Sequence, residues 1–219
     1  MIVDIGGVTL HEFDVAATDA LLCLEASWFA TLLRREARGP LRAQATAFFV
    51  LLALSSALGV IFHAFFPEKV ASRGGFAVWM ATGVAIGLTT AVLWAIDARL
   101  LGERRIARGL RALILPYLIV FLAVLFFVSH GFPTIIAFYA PAIVLLALLA
   151  VLGYRRERSR PWRDLLLGTG LSFVAAAVQV AKLGLHPVYF NFNALYHLIQ
   201  GIALLFLFLA LRGLMRARG

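Results

Sequence analysis

The chain has 219 residues, of which 63% are hydrophobic and only 14% charged, and its formal net charge is +9. A soluble domain contains about 45–50% apolar and about 25% charged residues, so a chain of this size could not hide its apolar surface from water. The composition therefore excludes a soluble enzyme or soluble binding domain and indicates an integral membrane protein.

Seven apolar segments follow one another along the chain, separated by short polar connections. A helix needs about 20 apolar residues to cross a bilayer, and each segment is about that long. The turn between the fourth and fifth segments rests on Ser129, Gly131 and Pro133, because Gly and Pro together favour a break. The sequence thus predicts an all-α bundle of seven transmembrane helices in a single domain, 1–219. The predicted helices are 16–34, 43–66, 75–99, 110–129, 132–153, 164–183 and 191–212.

Basic residues fall almost entirely on one side of this predicted bundle. Only Lys69, Arg73 and Lys182 lie on the other side. By the positive-inside rule, the N-terminus is expected outside and the C-terminus in the cytoplasm, as in a multi-pass protein of a bacterial inner membrane. Because the arginines sit in clusters between apolar runs, we expect no nucleic-acid partner. The clustered residues are Arg34, Arg35, Arg38, Arg42, Arg99, Arg104, Arg105, Arg108, Arg111, Arg155, Arg156, Arg158, Arg160, Arg163, Arg212, Arg216 and Arg218.

Several polar side chains lie inside the predicted helices. An ionisable group there costs about 2.5–3.5 kcal/mol on insertion scales, so each is a candidate for function. Their helical spacing puts those of the seventh segment on one face, and most of the set falls in the outer half of the bundle. The sequence predicts an outward-facing polar pocket among segments 1, 2, 6 and 7. Its predicted members are Asp19, Glu25, Ser55, Gln179, Asn193, His197 and Gln200.

Asp97 differs from these residues in depth. It lies one turn from the cytoplasmic end of the third segment, close in sequence to Arg99. Opposite charges at such a position commonly pair at the membrane surface. The sequence therefore predicts a local ion pair between Asp97 and Arg99 rather than a functional site.

Two histidines at matching depth, His63 and His197, raise the question of a metal. Imidazole nitrogen is a preferred zinc ligand, and Asp19, Glu25 or His186 could add a third donor. The alternative is that the two histidines form hydrogen bonds between helices and hold the bundle together. Since a zinc site needs more than two ligands, no cofactor is firmly predicted, and zinc is the alternative.

The stretch 190–200, Phe-Asn-Phe-Asn-Ala-Leu-Tyr-His-Leu-Ile-Gln, resembles the last-helix motif of a group of bacterial seven-helix membrane proteins. That motif reads Phe-Asn-His-Asn-Asp-Leu-Tyr-His, then a hydrophobic residue, Ile and Gln. The pairs at 18–19 and 62–63 fit the same pattern. The group is similar to the superfamily of alkaline ceramidases and adiponectin receptors. This resemblance implies a zinc-dependent lipid amidase with His63 and His197 as ligands. Asn193 stands where the superfamily has another histidine, and Gly59 where it has a serine.

Two functions remain open from the sequence. The first is a non-enzymatic multi-pass protein, which packs as a subunit of a larger membrane complex or binds lipid in the outward-facing pocket. Its expected partners are membrane lipids and other membrane subunits. The second is a zinc-dependent membrane hydrolase of a lipid amide, in which a metal-bound water attacks and Glu25 or Asp19 handles protons.

Overall fold

Seven long helices make up most of the computed structural model, which describes residues 1–36, 39–102 and 104–217. They are α1 (Phe13–Leu33), α2 (Pro40–Phe65), α3 (Arg73–Leu100), α4 (Arg104–Phe127), α5 (Phe132–Glu157), α6 (Arg160–Val180) and α7 (Phe192–Ala217). All seven are long and apolar enough to cross a membrane, as predicted. Of the basic residues used to predict the orientation, Arg38 and Arg218 lie outside the described residues.

Several helices begin at residues that favour a helix N-terminus, either prolines of the first turn or side chains that cap it. Pro40 and Pro133 lie in the first turns of α2 and α5, where a missing N–H costs nothing. Ser72 caps α3 by accepting a hydrogen bond from the Gly75 amide at 3.0 Å. The Asn191 side chain accepts from the amides of residues 193 and 194 and so caps α7.

Five helices extend further into the arginine clusters than predicted. For example, α4 begins at Arg104 rather than at 110, and α5 ends at Glu157 rather than at 153. The prediction ended each segment at its first charges. Arginine, however, is a good helix former and can keep its charged end in water while its stem lies along apolar surface.

Consecutive helices pack on one another except at α5, which packs on α3 rather than on α4, and α7 returns to α1, so that the first and last helices are neighbours. The core centres on Phe29, Phe49 and Phe208, whose rings meet in stacked and edge-on contacts. In contrast, α4 packs mainly on α3 and exposes much of its surface, including Leu113 and Ile119. This exposed surface faces lipid if the bundle spans a bilayer.

A short antiparallel hairpin, β1 (Val3–Ile5) and β2 (Val8–Leu10), precedes α1 and was not predicted. It is joined to the helices by backbone hydrogen bonds, from the His11 amide to the Ala64 carbonyl and from the Phe13 amide to the Met1 carbonyl. The hairpin and the connections after α2, α4 and α6 share the end of the bundle with few arginines. We call this end the arginine-poor face and the opposite end the arginine-rich face.

Candidate functional site

The first and last helices are linked by polar side chains near the arginine-poor face. The Oδ1 atom of Asp19 lies 3.5 Å from Nε2 of His197. The other ring nitrogen of His197, Nδ1, lies 3.1 Å from the Thr18 hydroxyl, and the tautomer of the ring decides which of these two groups donates. Both ring nitrogens of His197 therefore face polar groups of α1, which fixes the orientation of the ring.

Asp19 occupies this position because α2 has no side chain opposite it. A Cβ at Gly59 would lie 2.5 Å from Oδ2 of Asp19, well inside van der Waals contact. Asp19 is only 5% exposed. The glycine thus brings α2 against the carboxyl group, and helices 1, 2 and 7 meet at one point.

His63 forms a separate cluster with two residues outside the seven long helices. Its Nδ1 atom lies 2.5 Å from Oε2 of Glu12, and the same oxygen accepts from the ammonium group of Lys69 at 2.5 Å. The hydrogen bond from His63, together with that from Lys69, lowers the pKa of Glu12 to about 2 despite partial burial. Glu12 and Lys69 both have positive φ angles, 42° and 53°, which are uncommon outside glycine. This cluster ties the start of α1 to the end of α2.

The remaining predicted residues divide between two further contacts and one isolated position. Gln179 donates to Oδ1 of Asn193 at 2.7 Å, and Gln200 donates to the Ser172 hydroxyl at 3.3 Å. Both pairs join α6 to α7. Ser55 bonds only the Leu52 carbonyl of its own helix. No hydrogen bond among the described residues joins His63 and His197 to each other or to Asn193.

A groove between α1 and α7 does combine two of the predicted pocket residues. It has a volume of about 240 Å³ and is lined by Thr18, Glu25 and His197 together with Leu21, Leu22, Leu198, Gly201, Ile202 and Leu205. Its walls are therefore mostly apolar. Glu25 is half-buried and has no hydrogen-bond or ion-pair partner among the described residues. Its carboxyl group lies against Gly201, where a Cβ would be 3.1 Å from Oε2.

The described residues do not fit a zinc site. Within them, no three His, Cys, Asp or Glu side chains are grouped so as to hold a metal ion. His63 faces Glu12, whereas His197 faces Asp19 and Thr18. Asn193, at the position that the resemblance assigns to a third ligand, is engaged by Gln179. These side chains form hydrogen bonds and close polar contacts between helices.

The prediction for Asp97 is wrong. Arg99 donates to the side-chain oxygen of Gln44 at 3.1 Å and forms no ion pair with Asp97 among the described residues. Asp97 is fully buried, and neither of its carboxyl oxygens has a hydrogen-bond partner in the part of the chain that the structure describes. The prediction placed Asp97 at the membrane surface by counting residues, but it could not show which side of α3 faces the core.

Sequence reasoning missed the partners of His63. Glu12 lies one residue before α1 and Lys69 begins the short 3-10 helix Lys69–Ala71 after α2, so neither was treated as part of a membrane site. The available signal was one acidic and one basic residue beside the ends of two neighbouring helices. That signal is weak because charged residues are common next to membrane helices.

The chain matches a known protein family over most of its length. A family model described as a family of unknown function, DUF6962, matches residues 15–216, and the chain belongs to this family. No curated protein and no solved structure shows significant similarity to it. The resemblance to ceramidases and adiponectin receptors gains no support from these comparisons and stays a prediction.

Proposed function

We propose that this member of a family of unknown function is a non-enzymatic multi-pass membrane protein that binds a lipid in the groove between α1 and α7. The observation that carries the proposal is the composition of the groove. Six apolar or small residues form its walls, while Thr18, Glu25 and His197 supply its polar groups. Such a lining suits a ligand that is mostly hydrocarbon with few polar groups.

The size of the groove favours a lipid chain over a protein helix. One turn of a helix with its side chains is about 10–12 Å across and about 5.4 Å long, so it occupies roughly 400–600 Å³, which exceeds the groove volume of about 240 Å³. A single hydrocarbon chain is narrow enough to lie between α1 and α7. This argument supports lipid binding over the packing of another membrane subunit at this position.

The polar residues indicate where the polar groups of the lipid would lie. Thr18 is five residues into α1, or about 8 Å from its start, and Glu25 is about 10 Å deeper. A lipid headgroup or carboxylate can therefore reach Thr18 and His197 near the arginine-poor face. Glu25, which has no protein partner among the described residues, can then bond a hydroxyl group part-way along the chain. We expect a hydroxylated chain to bind better than a plain one.

Native mass spectrometry of the detergent-solubilised protein tests this proposal. The protein is titrated with stearate and with a hydroxystearate whose hydroxyl is near mid-chain. Gly201→Leu fills the groove and should weaken binding of both lipids about tenfold or more. Gly170→Leu is the matched control, because a Cβ at this exposed position on α6 meets nothing within 4 Å. Glu25→Leu should remove the preference for the hydroxylated chain, about three- to tenfold for one lost hydrogen bond.

Thermal unfolding of each variant confirms that it is folded before binding is compared. Equal binding by the Gly201 and Gly170 variants would contradict the groove as the site. An unchanged preference in Glu25→Leu would contradict the role of Glu25 while leaving the groove intact.

A further inference from the structure

A second cavity lies at the arginine-rich face, at the opposite end of the bundle from the Asp19 and His197 pair. It has a volume of about 290 Å³ and lies between the start of α6 and the last turns of α7. Its lining includes Arg160, Pro161, Leu209, Arg212, Gly213 and Arg216. The helices approach closely beside it, since a Cβ at Gly213 would be 2.7 Å from Pro161. The cavity is therefore built from two helices in direct contact.

Two of the cavity arginines are held in place by one acid. Glu36, which follows α1, accepts from Arg212 at 2.5 Å and from Arg216 at 2.7 and 3.0 Å. The hydrogen bonds from Arg216 and then Arg212 lower the pKa of Glu36 to about 2, so this acid stays ionised at neutral pH. The two guanidinium groups are thereby positioned at the cavity before any ligand binds.

A buried acid, Asp164, also lines the cavity on its other side. The side chain of Asp164 is 5% exposed and lies 3.6 Å from Arg160 and 3.2 Å from Arg163. The Arg160 side chain itself is 76% exposed. Four arginines thus surround two acids, so the cluster keeps two positive charges that its own acids do not balance.

We propose that this cavity binds the phosphate group of an anionic membrane lipid. Guanidinium groups match the geometry of phosphate oxygens and bind them with paired hydrogen bonds. The cavity also lies at the first turn of α6, where the helix dipole favours an anion. Basic cavities between transmembrane helices at a membrane surface are suited to acidic lipid headgroups.

The position of Leu209 favours a lipid over a free phosphate ion. Leu209 lines the cavity one turn before Gly213, on the side toward the middle of the bundle. The cavity therefore has a charged end at the arginine-rich face and an apolar end toward the membrane interior. A phospholipid matches both ends, because its headgroup is charged and the first atoms of its chains are apolar. Inorganic phosphate would contact only the charged end.

The test measures lipid binding by native mass spectrometry, with phosphatidylglycerol as the anionic probe and phosphatidylcholine as the zwitterionic one. The double variant Arg160→Gln/Arg216→Gln should bind phosphatidylglycerol about tenfold more weakly, as expected for lost charge-assisted hydrogen bonds. The matched control is Arg155→Gln/Arg156→Gln, which removes the same charge from exposed residues at the end of α5. This control should bind phosphatidylglycerol like the unmodified protein. Arg212 is left intact so that Glu36 keeps a partner.

Three outcomes overturn the assignment. Equal loss in the two double variants would show that only the general charge of the face attracts the lipid. Equal binding of phosphatidylcholine and phosphatidylglycerol by the unmodified protein would exclude selection of an anionic lipid. Displacement of phosphatidylglycerol by millimolar inorganic phosphate would make a free anion, rather than a lipid, the natural ligand. Thermal unfolding in detergent serves as an independent check that the variants are folded.

Discussion

The carboxyl group of Asp19 and the backbone of Gly59 are in direct contact across the α1–α2 interface, and a Cβ at position 59 would lie 2.5 Å from Oδ2 of Asp19. The same carboxyl group lies 3.5 Å from His197 on α7. Because Gly59 on α2 has no side chain, Asp19 of α1 has room to reach the last helix. In a membrane, where water is not available to buried polar groups, such a contact replaces hydration.

Gly59→Ala should destabilise the protein by about 1–3 kcal/mol, because the added methyl group must displace Asp19 from the interface. Thermal unfolding in detergent measures the effect. Gly170→Ala is the control, and it should be neutral or slightly stabilising because its Cβ meets nothing within 4 Å and alanine favours a helix.

A double-mutant cycle with Asp19→Ala shows whether this contact is the cause. The combined variant should lose less stability than the sum of the two single changes, by about 1 kcal/mol. Strict additivity would mean that Gly59→Ala acts through another neighbour.

The helices could be predicted from sequence because lipid imposes a simple requirement of about 20 apolar residues per crossing. The pairing of Asn193 with Gln179 illustrates what could not be predicted. Both residues were assigned to one pocket from their depth, but depth does not determine which side chains meet. The contact of Asp19 with Gly59 depends on how each helix is rotated about its axis. A rotation equivalent to a single residue would turn either position to a different face of its helix.

For Asp97, in contrast, the sequence alone could have corrected the prediction. Its position near Arg99 in the sequence indicated a pair, yet residues two apart on a helix do not face each other. The side chain of Arg99 extends to Gln44 on α2, while Asp97 is buried in the bundle. Spacing along a single helix could have excluded the predicted ion pair.

Replacing Asp97 with leucine should therefore raise the free energy of unfolding by about 1–3 kcal/mol. The substitution removes a buried polar group without partners and keeps a similar volume. The matched control is Asp164→Leu, which removes an almost equally buried acid that does have arginine partners and should destabilise. Thermal unfolding in detergent compares the two. A loss of stability in both variants would show that Asp97 has a stabilising role in the folded protein.

The Glu12 cluster should make stability fall in acid. The folded-state pKa of Glu12 is lowered from 4.5 to about 2 by the hydrogen bond from His63 and then by Lys69. A lowered pKa of an acid stabilises the folded state above the unfolded value, and this contribution is lost as the pH falls from about 4.5 toward about 2. The Glu12 side chain is 36% exposed, so solvent screening limits the effect to about 1 kcal/mol.

Thermal unfolding between about pH 2 and about pH 7, a range that contains the whole interval over which Glu12 is protonated, tests this dependence. Glu12→Gln should lose stability at neutral pH and show a shallower decline in acid. Glu68→Gln, at an exposed neighbouring position, should follow the unmodified protein. Parallel curves for the Glu12 variant and the unmodified protein would contradict a role for this carboxylate.

The orientation predicted from the basic residues can be tested with fusions to the end of the chain. Of the 20 Lys and Arg residues, 17 belong to the arginine-rich side, and such an excess directs a face to the cytoplasm. A green fluorescent protein fused after residue 219 should fluoresce, and alkaline phosphatase at the same position should be inactive. Phosphatase fused after residue 131, between α4 and α5, should be active. The reverse pattern would place the arginine-rich face outside.

The protein isolated after washing with a chelator should contain well below one zinc ion per chain by elemental analysis. Zinc in proteins takes four ligands, with His nitrogens at about 2.0–2.1 Å. Here His63 and His197 face different acids of α1 and its preceding turn, and Asn193 is a neutral amide already engaged by Gln179. Asn193→His adds an imidazole one turn from His197, so this variant should bind zinc more tightly than the unmodified protein. One zinc ion per chain in the unmodified protein would contradict this prediction and favour the lipid amidase implied by the resemblance.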